Sequence, residues 1–356
     1  MELWQHSLQS SLTRPEALAE RFSVDAAPLT AVVDRYPMRI TPYYLGLIRQ
    51  PGDPIWRQCV PDPLELADTA GFPDPLNEEN LSPVPGIVHR YPDRVLFLVS
   101  GACAVYCRFC TRKRQVGCAG MRRSSAELAA GIDYIAGNRQ VRDVILSGGD
   151  PLLLTDEALG DLLERLRRIP HVEMIRLGSR APVTLPERIT DNLCRLLRGF
   201  HPLYLNTHFN HPREITPQVA EACRRLADTG IPLGNQTVLL KGVNDESAVM
   251  ADLMKGLLKI RVRPYYIHHM DLVRGAGHFR ARVEEGIAIV KALRGPISGL
   301  AVPHYVIDLP GGKGKVPLLP EYIESLGDTV ILRTPAGERV EYPNGLPGSS
   351  DMAGNC

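Results

Sequence analysis

From about Tyr91 onward the chain alternates short apolar runs with longer amphipathic stretches. Runs of branched aliphatic and aromatic residues bounded by turn signals read as buried strands. They fall at 95–100, 142–147, 173–178, 202–207, 232–240 and 262–267. Between them, apolar positions at helical spacing predict helices over 125–137, 156–168, 186–198, 217–229, 245–258 and 281–293. The start signals agree. Ser124 and Glu127 form a capping box, Thr155 precedes two acidic residues that suit the positive helix end, and Thr216-Pro217 supplies a cap followed by a first-turn proline. Six β-α units in succession predict an α/β fold: a parallel sheet with right-handed crossovers, curled fully or partly into a barrel. In such barrels the chemistry gathers at the carboxyl ends of the strands. Residues 1–88 read as an N-terminal extension of short helices and loops, and 89–295 as the barrel. Residues 296–345 read as a C-terminal segment with a hairpin at 329–342, and 346–356 as a disordered tail.

Composition narrows the class. With 44% hydrophobic and 23% charged residues the chain is globular, and a net charge of +1 supplies no drive toward nucleic acid or an anionic membrane. The apolar runs fall far short of the ~20 residues that span a bilayer. The N-terminus lacks the basic-then-apolar order of a secretory signal. Eight cysteines in 356 residues are too sparse for a disulfide framework. A reducing cytoplasm is the expected compartment.

The first strand runs directly into Cys103, Cys107 and Cys110, spaced C-x3-C-x2-C with Phe109 before the last thiol. A structural zinc site wants four ligands, and no fourth lies close; Cys118 follows eight residues later. Three soft thiolates on one loop suit three irons of a [4Fe-4S] cluster, leaving the fourth iron open to a ligand.

Three more segments carry chemistry. Ser147-Gly148-Gly149-Asp150 ends the second strand, where paired glycines admit a ligand close to the backbone and offer free N–H groups. His89-Arg90-Tyr91-Pro92-Asp93-Arg94 offers two arginines and a tyrosine suited to a phosphate. Asp308 to Pro317 is glycine-rich but lacks the G-x4-GK[ST] spacing, so it is not a nucleotide phosphate loop. A lysine on such a turn suits a Schiff base with pyridoxal 5′-phosphate (PLP), and the residues alone do not choose between Lys313 and Lys315.

The cysteine motif resembles the signature of the radical S-adenosylmethionine (SAM) superfamily. From about Gly86 to Arg333 the chain resembles the lysine 2,3-aminomutase family. The matching stretches include His89–Leu98, Cys103–Arg112, Val144–Asp150, Arg176–Arg180, Leu205–Pro212, Pro232–Gln236, Ile260–Tyr266 and the glycine-lysine turn. The resemblance implies a partial (β/α)6 TIM-like barrel of the radical SAM type, holding SAM and PLP side by side. It implies that Ser147, Gly148, Gly149 and Asp150 contact SAM, and that His208 and Gln236 line the space around both cofactors. It places PLP on Lys315, with Arg90, Tyr91 and Arg94 near its phosphate. It assigns Arg112 to the substrate α-carboxylate, and Asp271 with Asp308 to the ε-ammonium of lysine.

The activity implied is isomerisation of L-lysine to β-lysine by a hydrogen abstraction at C3 and migration of the nitrogen. An electron donor such as flavodoxin or ferredoxin and a homo-oligomer are implied as well. Arginine, ornithine or glutamate as substrate, or a radical SAM enzyme modifying RNA or protein, are the alternatives. Against the clostridial pattern, the chain ends at Cys356 without a cysteine-rich zinc segment, and Glu246 stands where a partner cysteine is expected. The segment 268–279 resembles shorter bacterial relatives that supply β-lysine to elongation factor P. His268 and His269 read as strand-end histidines rather than metal ligands.

Overall fold

The computed structural model describes residues 2–117 and 123–344. One sheet runs in strict chain order: β1 (Ile87–Tyr91), β2 (Arg94–Ser100), β3 (Asp143–Gly148), β4 (Met174–Gly178), β5 (Leu203–Thr207), β6 (Leu233–Val238), β7 (Arg263–His268), β8 (His304–Asp308) and β9 (Lys315–Pro317). Strands β2 to β8 are parallel, while β1 and β9 pair antiparallel at the two edges. Helices Ser125–Gly137, Asp156–Arg167, Asp191–Arg198, Pro217–Asp228, Ser247–Lys259 and Val283–Leu293 make the six crossovers. Among the described residues the edge strands do not pair with each other, so the barrel is open.

The caps read from sequence form as read. Ser124 and Glu127 bond reciprocally, and Thr155 and Thr216 each accept a backbone N–H from the first turn. The helix expected over 186–198 is shorter, because Pro186 starts a separate 3-10 turn and Thr190 caps the helix proper.

The central strands β4, β5 and β6 alternate between two environments, and β3 does so from Val144 to Gly148. Val144, Leu146, Ile175, Leu177, Leu203 and Leu205 are buried against the helices, among Leu159, Leu163, Leu193 and Leu226. Each such side chain contributes about 1.5–3 kcal/mol by leaving water. The opposite positions, Ile145, Arg176, Asn206, Gln236 and His268, are only half-buried. A parallel sheet covered on both faces reads as nearly continuous aliphatic runs; here the inner face is polar and lines a lumen. Leu205→Ala on the outer face is expected to cost about 2–5 kcal/mol, read as a lowered denaturant midpoint. A midpoint equal to the parent's would contradict this packing.

Two features extend the sequence reading. β8 adds a seventh parallel strand, and the glycine-rich turn folds back as β9 with Asp308 opposite Lys315. The stretch after 296 therefore continues the main sheet before it reaches a small antiparallel sheet of β10 (Ile323–Ser325), β11 (Thr329–Arg333) and β12 (Arg339–Pro343). The tail expected at 346–356 lies outside the described residues. The N-terminal extension is tied to the strand-end side of the barrel: the Thr41 hydroxyl donates to the Thr184 carbonyl at 2.6 Å, and the Tyr44 hydroxyl to Glu214 at 2.7 Å.

Candidate active site

The thiols turn inward because the residues between them are pinned outward. Tyr106 N–H donates to the Arg39 carbonyl, and Arg108 N–H to that of Gln58. The Arg108 guanidinium is buried on Glu65, donating from Nε at 2.9 Å and Nη2 at 2.5 Å, while Nη1 reaches the Pro37 carbonyl. Lys113 joins the same carboxylate at 2.5 Å and donates to the carbonyls of Arg108 and Gly275. Paired in this way, three buried charges clamp the loop onto the extension; an unpaired one would be strongly destabilising.

Glycines at the end of β3 make the second contact. Gly149 and Asp150 N–H groups donate to the carbonyls of Ser100 and Ala102 at 2.7 and 2.6 Å. A Cβ on Gly148 would stand 2.3 Å from the Ser100 oxygen, one on Gly149 2.3 Å from that of Ala102, and Gly148 has φ +129°. The sequence reading expected free N–H groups for a ligand, but these two are spent on the cysteine loop. The glycines serve close backbone approach instead. Asp150 is likewise engaged, accepting from Leu152 N, Ser179 Oγ, Arg180 N and Ala181 N at 2.7–3.0 Å. It ties the ends of β3 and β4 together. Gly149→Ala is expected to displace the cysteine loop and reduce iron bound after reconstitution to a small fraction of the parent's. Equal iron content would show that the close approach is dispensable.

These strand ends enclose a cavity of about 330 Å³, lined by all three cysteines, Arg112, Ser147–Asp150, His208, Gln236, Asp271 and Asp308. Burial and then its neighbour Cys107 push the Cys110 thiol up to about 11; burial, Cys110 and Asp150 raise Cys103 well above its ordinary value. Thiols that resist joint ionisation here would be relieved by a cationic centre. Among the described residues no three His, Cys, Asp or Glu close on one metal ion. Three thiols lining one cavity fit a cluster, in which each thiolate takes its own iron.

Arg180, two residues beyond the end of β4, lines the same cavity. Its Nη1 donates to Cys107 Sγ at 2.7 Å, and its Nε to the His208 carbonyl at 3.1 Å. Burial, and secondarily the Arg180 charge, press the His208 imidazole toward its neutral form. Arg180 was visible only as one residue of a matching stretch, since its partners lie far off in sequence. Glu78 was missed for the same reason. It takes Arg112 bidentately, from Nε at 2.7 Å and Nη2 at 2.6 Å, leaving Nη1 near the Gly148 carbonyl at 3.3 Å.

The other wall is a knot of charge around Asp308. Lys315 Nζ donates to both its oxygens at 2.7 Å, Arg90 Nη1 to Oδ1 at 3.2 Å, and His268 Nδ1 stands 3.4 Å from Oδ2. Burial opposes the charged form, but His268 and Lys315 outweigh it and hold the carboxyl well below the usual carboxylate range. Asp271 accepts from the Thr111 hydroxyl at 2.9 Å, and burial followed by the nearby Asp308 charge pushes its carboxyl up. His269 donates to or accepts from the Tyr305 hydroxyl at 2.7 Å, so it packs as a strand-end histidine.

Lys315 keeps 34% of its side chain exposed, facing solvent from beside the cavity. Arg90 reaches it through Asp308. The Tyr91 ring borders the turn, its hydroxyl 3.5 Å from where a Gly314 Cβ would lie. Arg94 stands furthest out, stacked 3.8 Å over the Tyr91 ring and paired with Asp93. A lysine amine, two arginines and a side-chain-free glycine turn on one edge fit an anionic aldehyde cofactor such as PLP.

The Radical SAM superfamily model matches residues 97–254, and a model described as Lysine-2,3-aminomutase matches 290–356. Over 309 residues the chain is 53% identical to the L-lysine 2,3-aminomutase of Clostridium subterminale, covering 86% of this chain and 74% of that one. It is 48% identical over 305 residues to the glutamate 2,3-aminomutase of Clostridioides difficile, covering 85% and 72%. It is 36% identical over 324 residues to the L-lysine 2,3-aminomutase of Haemophilus influenzae, covering 88% and 94%.

Proposed function

Because the chain belongs to the lysine 2,3-aminomutase family of radical SAM enzymes, we propose that it moves the α-amino group of L-lysine to C3, giving β-lysine. The observation that carries the choice of lysine is the pair Asp271 and Asp308 in one cavity with the three thiols. Burial and the Asp308 charge raise the cost of ionising Asp271, so the pair calls for a cation, and an alkylammonium with three donors meets both carboxylates. A substrate ending in a carboxylate would meet like charge there.

When bound, the cluster with SAM supplies a carbon-centred radical, and PLP supplies the imine through which nitrogen migrates. The protein's part is binding, orientation and exclusion of water. In this reading Cys103, Cys107 and Cys110 hold the cluster, while Ser147 to Asp150, His208 and Gln236 border SAM. Lys315 engages the PLP aldehyde, with Arg90, Tyr91 and Arg94 on the phosphate side. Arg112, held by Glu78 on one edge of its fork and with Nη1 also on the Gly148 carbonyl, offers the second Nη1 hydrogen to the substrate α-carboxylate. Lys315, which now donates to both Asp308 oxygens, would turn toward PLP when that cofactor is bound, and the Asp308 oxygens would then be open to the substrate's ε-ammonium. His268 and Arg90 keep that carboxylate ionised until the substrate arrives.

An anaerobic assay decides the substrate. Protein reconstituted with iron, sulfide, PLP and SAM, given a one-electron reductant, is expected to convert lysine to β-lysine well ahead of arginine, ornithine or glutamate. Faster turnover of glutamate would overturn the lysine assignment. The same reading calls for a flavodoxin- or ferredoxin-type donor and for a homo-oligomer, which sedimentation of the holoprotein tests. Supply of β-lysine to elongation factor P belongs to it too. An unchanged mass of that factor in cells lacking this enzyme would remove that role.

No helix among the described residues is long and apolar enough to cross a membrane.

A further inference from the structure

Arg180 is a nearly buried guanidinium, 9% exposed, to which neither the substrate nor a cofactor role above gives a use. Its fork is engaged on every side. Nη2 donates to Glu214 Oε1 at 2.7 Å, to Gln58 Oε1 at 2.6 Å and to the Tyr44 hydroxyl at 3.1 Å. Nε is held by the His208 carbonyl, and the rings of Phe109 and Tyr44 lie 5.4 and 5.5 Å from its central carbon. The remaining group, Nη1, points at Cys107 Sγ at 2.7 Å.

A plain structural ion pair would not need that last contact. Glu214 also accepts the backbone N–H groups of Asn210 and His211 at 2.6 and 2.9 Å through its other oxygen. The planar fork lets one cation answer Glu214 with one nitrogen and the sulfur with another, which a lysine cannot do in fixed geometry. Three of the partners, Tyr44, Gln58 and Glu214, lie 34 or more positions from Arg180, and two come from the N-terminal extension. The extension thus fixes the direction of a bond to a cluster ligand.

We propose that Arg180 is a positioning residue that tunes the iron–sulfur cluster, its Nη1–H···Sγ bond to Cys107 making one-electron reduction of the cluster more favourable. The proposal rests on the cluster assignment made above. A hydrogen bond to a ligating sulfur withdraws electron density from it, and hydrogen bonding to the sulfurs and burial are established determinants of cluster potential. A fixed positive charge in a water-poor site favours the reduced state, which carries one more negative charge. The electron itself comes from the one-electron donor, and Arg180 neither gains nor loses a proton.

The test is an EPR-monitored potentiometric titration of the reconstituted protein without substrate. Arg180→Gln, with iron and sulfide content matching the parent, is expected to make reduction at least tenfold less favourable, a midpoint about 59 mV more negative. Arg180→Lys keeps the charge and loses the fork, and is expected to fall between the two. A midpoint for Arg180→Gln within twofold of the parent would overturn the proposal. If Arg180→Gln does not retain the cluster, Arg180→Lys decides: at least a threefold less favourable reduction supports the proposal, and a parental midpoint overturns it. Parent protein that holds no cluster would remove the cofactor reading and the proposal together. A cluster whose potential ignores residue 180 would remove the proposal alone.

Discussion

Alanine at Lys315 is expected to abolish covalent capture of PLP, seen as loss of the borohydride-trapped adduct in intact mass, while iron content stays at the parental level. Lys313→Ala is expected to leave both unchanged. The two lysines sit one glycine apart, and their difference is one of placement. Lys315 begins β9 directly opposite Asp308, and the β8–β9 pairing holds its amine at the carboxyl end of the barrel. Lys313 sits on the exposed turn, closing a segment in which Gly311 and Gly312 both adopt positive φ. An amine held against a carboxylate beside the cavity has an address; one on an exposed turn has none. An adduct retained in Lys315→Ala and lost in Lys313→Ala would reverse the assignment.

Neutralising Asp308 is expected to produce the second large effect. Asp308→Asn removes the carboxylate that the proposed function gives to the substrate's ε-ammonium. Truncating one partner of a buried, hydrogen-bonded charge pair costs about 2–5 kcal/mol, so kcat/KM for lysine should fall by roughly 30-fold to several thousandfold. Asp271→Asn should cost less. Burial and then the Asp308 charge push the Asp271 carboxyl up, so its ionised form is less favoured than that of Asp308. Iron content, read in the same preparations, separates substrate recognition from assembly. Lysine kinetics unchanged in both variants would mean that the ammonium is recognised elsewhere.

How much of this could be read along the chain depended on the range of the interactions. The six crossover helices and their strands were legible because their periodicity and caps are local: Thr155, Thr216 and the Ser124–Glu127 box act within one turn. The cysteine spacing was legible because one loop carries all three thiols. β8 and β9 were harder, since a five-residue strand followed by a glycine turn carries little periodicity and belongs to the sheet only through its neighbours. The glycines of Ser147–Asp150 were rightly singled out, yet their N–H groups proved to serve the cysteine loop, a contact between segments almost fifty positions apart.

The order of strands and helices, the open-site cysteine motif and the lysine turn were thus determined by the sequence itself, because each is written in residues within a few positions of one another. Tertiary structure decided what surrounds them: Glu78 on Arg112, the Glu65 clamp on Arg108 and Lys113, the knot of Arg90, His268 and Lys315 on Asp308, and the Arg180 hydrogen bond to Cys107. Apart from Lys315 on Asp308, seven positions away, these are contacts of charged groups across long sequence separations inside a site of low dielectric. Their strength comes from burial and direction, and neither exists until the barrel and its N-terminal cover have folded around them.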